Sequence, residues 1–159
     1  MEAKDYIIRL NEILEQKIAL LVEISGYTSL QKEALQNGNS DELEILIAKK
    51  QARIEAIDRF DEQFSVYSSR LKDLLGIKKF EELPKHHIPG TKELQEKVTK
   101  VYELLNSIKA IDQENTGKLS SDLLQVKEKI KQNNSFKKVN NAYNSPVANN
   151  QNHYFDKKK

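Results

Sequence analysis

A seven-residue apolar repeat governs the first 36 residues. Ile7, Leu14, Leu21, Thr28 and Leu35 form one stripe; Tyr6, Ile13, Leu20, Tyr27 and Ala34 form a second, with Leu10 and Ile24 between them. Seven residues return an α-helix to almost the same face, so the two stripes merge into one broad apolar surface. That surface is wider than a two-stranded seam needs. It predicts a long helix packed against more than one neighbour.

"QNGNSDELE" then interrupts the repeat. Gly38 can supply a left-handed C-terminal turn, and Asn39 can cap a following helix with Glu42 three residues on. A reversal this tight predicts an antiparallel hairpin. The second helix is marked by Leu43, Ile47, Ile54, Ile57, Phe64, Leu71 and Leu75, widened by Leu46, Phe60, Tyr67 and Leu74. Lys50 and Asp61 fall on these stripes. Their stems are expected to pack while the charged ends reach solvent; a register-setting buried pair is the alternative.

"GIKKFEELPKHHIPG" (76–90) reads as a loop, tacked down by Ile77, Phe80, Leu83 and Ile88 and long enough to admit a third helix. In that helix Leu94, Val98, Val101, Leu105, Ile108, Leu119, Leu123, Val126 and Ile130 recur three and four apart. At 1.5 Å per residue it should reach about 60 Å, against about 50 Å for the other two, so its last turns should project past the hairpin. Asp112 and Asn115 interrupt the seam. They either fix register or, with Gly117, mark a bend.

The predicted architecture is all-α: a long antiparallel three-helix bundle over residues 1–132, with helices at about 3–36, 40–75 and 91–132, and an extended third helix. With five glycines, three prolines and 31% charged residues, the composition suits such a bundle better than a sandwich or barrel. Residues 133–159 are expected to be a disordered, basic, Asn-rich tail. Eight of the twenty residues from Asn133 to Asn152 are asparagine, and such a segment cannot bury enough surface to offset its ordering entropy.

No catalytic constellation is present: no phosphate-binding glycine loop, no nucleophile elbow and no zinc-protease motif. The absence of cysteine removes thiolate metal sites and thiol nucleophiles, and fits a reducing compartment. His86 and His87 are adjacent and so point apart, with no histidine three or four residues away. They read as solvated loop residues, as does His153. Neither cofactor nor metal is expected, and the chain reads as a binding protein and not an enzyme.

From Lys131 onward six lysines face one aspartate; that +5, set against the whole-chain +2, leaves −3 for residues 1–130. A mildly acidic body with a basic tail is a poor profile for nucleic-acid binding. No stretch has the roughly 20 apolar residues that span a membrane, and the N-terminus has no signal-peptide core. A soluble, unsecreted chain is expected.

The tail keeps Tyr143, Tyr154 and Phe155, with Phe136 just before. Aromatic anchors give an ordering segment its largest contact area per residue. The tail is therefore expected to fold on a partner, with Tyr143 and the Tyr154–Phe155 pair as its anchors.

Taken together, "GNSDELEILIAKKQARIEAID", "LKDLLGI", "IKAIDQENTGKL" and "AYNS…YFDKKK" resemble the FlgN-type flagellar export chaperones. The resemblance spans nearly the whole chain, departing at Tyr143-Asn144-Ser145, where a glycine near the tyrosine is expected. It implies a cytoplasmic chaperone of the flagellar type III secretion system. Such a protein holds the C-terminal amphipathic helices of hook–filament junction proteins in an apolar groove and delivers them to the export gate. Leu119, Leu123, Val126 and Ile130, extended by Phe136, are the expected groove. The tail aromatics are the expected contacts with cargo or gate. The competing reading is a scaffolding coiled coil that self-associates through the same faces.

Overall fold

The computed structural model describes residues 1–137, with side chains described as far as Asn133. They form α1 (Ala3–Gln36), α2 (Ser40–Leu75), a short 3-10 turn (Phe80–His86) and α3 (Thr91–Lys137). There is no strand among the described residues. They divide into two compact units, Met1–Asp112 and a second from Gln113 onward.

The first unit is a three-helix bundle. α1 opens with the Glu2 N–H donating to the Asp5 carboxylate at 2.8 Å, which satisfies one of the amides a helix start leaves without a partner. It ends at Gly38 (φ 66°), where the Asn39 N–H reaches back to the Ala34 carbonyl at 2.9 Å and the Gly38 N–H to Leu35. This six-to-one closure needs a left-handed residue at Gly38, which only glycine supplies without strain. Asn39 then caps α2, its Oδ1 accepting from the Glu42 N–H at 3.1 Å. The chain reverses within three residues, and α2 runs back along α1. Glu23–Arg53, Lys17–Asp61 and Arg9–Gln63 pair across them, α2 numbers rising as α1 numbers fall.

The core contains Ile7, Leu10, Leu14, Leu21 and Ile24 from α1, Ile57 and Leu71 from α2, Leu83 from the 3-10 turn, and Leu94, Val101 and Ile108 from α3. Three neighbours share α1's apolar surface, which is why that surface is two stripes wide. Burying one such side chain stabilises by roughly 1.5–3 kcal/mol.

Residues 80–86, expected as plain loop, wind into a 3-10 turn. The Glu82 carboxylate closes its start, accepting from the Lys78 N–H at 2.9 Å and the Lys79 N–H at 3.3 Å. Those two backbone donors hold the Glu82 carboxyl below its ordinary range. Leu83 is buried, with Ile77, Phe80 and Ile88 half-buried around it, so the segment adheres to the bundle through all four.

The segment delivers α3 parallel to α1 through one side chain. Asn11 Nδ2 donates to the Ile7 and Gly90 carbonyls at 3.0 and 3.1 Å, while its Oδ1 accepts from Lys97 Nζ at 3.1 Å. Lys97 also pairs with Glu15 at 2.9 Å. Gly90 makes this approach possible. Its φ is 90°, and a Cβ there would stand 2.9 Å from Ile7 Cγ2. α3 continues to Lys137, past the fading of the apolar pattern near Gln132. Extending a formed helix adds one hydrogen bond per residue fixed, so weak helix formers such as Asn133 and Asn134 can follow.

Lys50 corrects the sequence reading. Its side chain does not reach solvent: it is fully buried, and Nζ donates to Asp112 Oδ1 at 2.7 Å and to Gln31 Oε1 at 3.1 Å. One residue from each helix meets in this layer. Asp61 behaves as expected, half-exposed and paired with Lys17. Asp112 is accounted for by Lys50 and not by a bend, since α3 is helical without interruption from Thr91 to Lys137.

Candidate partner-binding surface on the third helix

The second unit begins at Gln113 within α3. Leu119, Leu123, Val126 and Ile130 follow one another at intervals of four, three and four, so one helix face carries all four. Leu119, Leu123 and Ile130 are half-buried, while Val126 is 51% exposed. Next to that face Leu124 is 66% exposed, a large apolar side chain left to solvent. Phe136 lies on the helix, but its side chain is outside the described residues, as are Tyr143, Tyr154, Phe155 and His153 entirely.

Leu124 is missing from the sequence expectation because it breaks the three-and-four rhythm by following Leu123 directly. Its signal was the Leu-Leu doublet, which widens an apolar face by about 100° of arc. Tyr102 was missed for the same reason: at 64% exposure it sits beside the seam residue Val101.

Charges flank the apolar residues. Lys118 pairs with Asp122 at 2.9 Å one turn on, both partners about half-exposed, and Lys127, Glu128, Lys129 and Lys131 are exposed. Apolar side chains between solvated charges can bind another amphipathic helix; they offer no group to move a proton or an electron pair.

Nothing else among the described residues forms a chemical site. No group of three or more His, Asp or Glu is placed to hold a metal ion. His86 and His87 are exposed, with His87 in the left-handed region at φ 51°. A depression of about 290 Å³ between the 3-10 turn and α3 is lined mainly by Phe80, Leu83, Leu94 and Val98. No helix among the described residues is long and apolar enough to cross a membrane.

The family model described as FlgN protein matches residues 1–151, nearly the whole chain. The chain belongs to the FlgN family. FlgN proteins are flagellar export chaperones, a family of binding proteins and not of enzymes. No curated protein and no solved structure matches this FlgN chain.

Proposed function

We propose that this FlgN-family chain is a cytoplasmic export chaperone for hook–filament junction proteins, holding their C-terminal amphipathic helices and delivering them to the flagellar export gate. The observation that carries the reading is the apolar series of the second unit: Leu119, Leu123 and Ile130 half-buried, with Leu124 and Val126 exposed. A cargo helix laid on this face covers those side chains and has its own apolar stripe covered in return. Each side chain moved from water to a full contact contributes up to roughly 1.5–3 kcal/mol. Phe136 extends the surface, and Tyr143, Tyr154 and Phe155 serve as anchors for cargo or gate.

Calorimetric titration with C-terminal peptides of hook–filament junction proteins tests the reading. Binding at micromolar Kd or tighter, about −8 kcal/mol, is expected. It should be lost in Leu123→Glu with Val126→Glu, provided circular dichroism shows that variant still helical. No heat with any such peptide, together with concentration-dependent self-association, would replace the chaperone reading with a scaffolding coiled coil. Deleting residues 138–159 tests the anchors separately; full-strength cargo and gate binding without them would remove the tail from the mechanism.

A further inference from the structure

On α2 one stripe reads Leu43, Lys50, Ile57, Phe64 and Leu71 at seven-residue intervals, and on α3 the stripe through Asp112 reads Val98, Leu105, Asp112, Leu119 and Val126. Each stripe carries one charge, and the two charges meet at 2.7 Å with Lys50 fully buried. Apolar heptads on their own do not select an alignment. Sliding one helix along another by seven residues replaces one aliphatic side chain with another on the same face, so heptad spacing alone leaves the alignment open.

We propose that Lys50 and Asp112 are a register lock, which leaves the hairpin groove open to α3 in one alignment only. Moving α3 by one heptad brings Leu105 to Lys50 and Asp112 to Leu43 in one direction, or Leu119 to Lys50 and Asp112 to Ile57 in the other. Both charges are then buried without each other, the arrangement a protein interior tolerates least. Gln31 enforces the same choice. Its Oε1 accepts from Lys50 Nζ at 3.1 Å, so the ammonium is pointed at the α3 position that Asp112 occupies. The buried Lys50–Asp112 pair, with Gln31 beside it, thus selects among alignments that heptad spacing leaves open. Lys50 is therefore a specificity residue for the chain's own third helix. It acts in the first unit, apart from the apolar series offered to cargo.

The chain lacks cysteine, so two introduced cysteines can carry nitroxide labels at chosen sites. Glu12→Cys on α1 and Lys109→Cys on α3 place them at exposed positions well separated along the bundle. A one-heptad slip moves the α3 label by about 10 Å along the axis, which pulsed electron–electron resonance resolves. The chain with its native pair should give one distance. Lys50→Met with Asp112→Leu, which replaces both charges by apolar groups, should stay helical and give a second distance population displaced by about that slip. Asp112→Asn keeps the side chain's shape and removes its charge. It should show the second population too, and it carries the test if the double variant loses its helical circular dichroism. A single unshifted distance in whichever of these variants is helical would overturn the lock and leave register to the 76–90 connection and the Lys97 contacts with Asn11 and Glu15. The label distances require no cargo, so this measurement and the peptide titration fail independently.

Discussion

Replacing Asp112 alone and replacing it together with Lys50 should have opposite consequences for stability. Lys50 is fully buried and the Asp112 side chain is 12% exposed, with 2.7 Å between Nζ and Oδ1. At an effective dielectric near 20, that separation corresponds to an attraction of about 6 kcal/mol. Desolvating two ions consumes several kcal/mol for each, so the pair adds little net stability as it stands. Asp112→Leu keeps the desolvation of Lys50 and discards the attraction, and it should lower the unfolding free energy by about 3–5 kcal/mol. Lys50→Met with Asp112→Leu discards both. It should unfold within about 1 kcal/mol of the parent, or be more stable by about 1–4 kcal/mol. Urea unfolding followed by circular dichroism at 222 nm measures each, with an unchanged slope showing that the folded and unfolded states are otherwise comparable. If Asp112→Leu lowered the unfolding free energy by less than about 1 kcal/mol, the pair would be behaving as an exposed one. If the double variant were as damaged as the single, the loss would be one of packing and not of an abandoned charge. Either result would refute the electrostatic account.

Three further outcomes follow from the fold. Leu10→Ala and Ile8→Ala, two residues apart on α1 but fully buried and 54% exposed respectively, should differ sharply: about 2–5 kcal/mol lost for Leu10 and within about 0.5 kcal/mol for Ile8, read from thermal or urea melts. Gly90→Ala forces a Cβ to 2.9 Å from Ile7 Cγ2 at φ 90°, so it should destabilise by about 1–3 kcal/mol; an unchanged melting temperature would show that α3 can enter the bundle by another path. Glu82 has a folded-state pKa below its unfolded value, so its contribution is present above the unfolded value and disappears as pH falls through the folded one. Protection of the Lys78 and Lys79 amides, taken relative to their intrinsic exchange rates, should therefore fall as pH drops through the lowered Glu82 value, and Glu82→Gln should remove most of that pH dependence; amide exchange by NMR would reveal the contrary case.

The helical class was legible because amphipathic periodicity is a local property, repeated often enough in α1 to fix both the helix and the width of its buried face. The Asn39 cap and the Gly38 reversal were legible for a related reason, since their partners lie within five residues. Lys50 and Asp112 show where local reading stops. Each could be placed on its stripe, but their meeting depends on how three helices are aligned across a separation of 62 residues. The 3-10 turn was hidden by brevity, since seven residues give too little periodicity to separate a turn from a loop. On α3 the face of Leu119, Leu123, Val126 and Ile130 followed from spacing. The exposure of Leu124 depends on tertiary packing, and spacing carries no such information.

The Asn11 clamp bears on the order in which the protein is assembled. α1 and α2 are joined by a three-residue reversal and can close on each other soon after both exist, whereas the bonds from Asn11 to Gly90 and Lys97 span 79 and 86 residues. Closing so long a chain segment is entropically dearer and slower than closing the reversal. The hairpin should consequently form first, on the ribosome as in refolding, and pulse-labelled amide exchange should protect α1 and α2 before α3. In that interval Lys50 keeps its hydration, since Asp112 has yet to arrive. A lysine that ends fully buried thus stays in water until the third helix arrives.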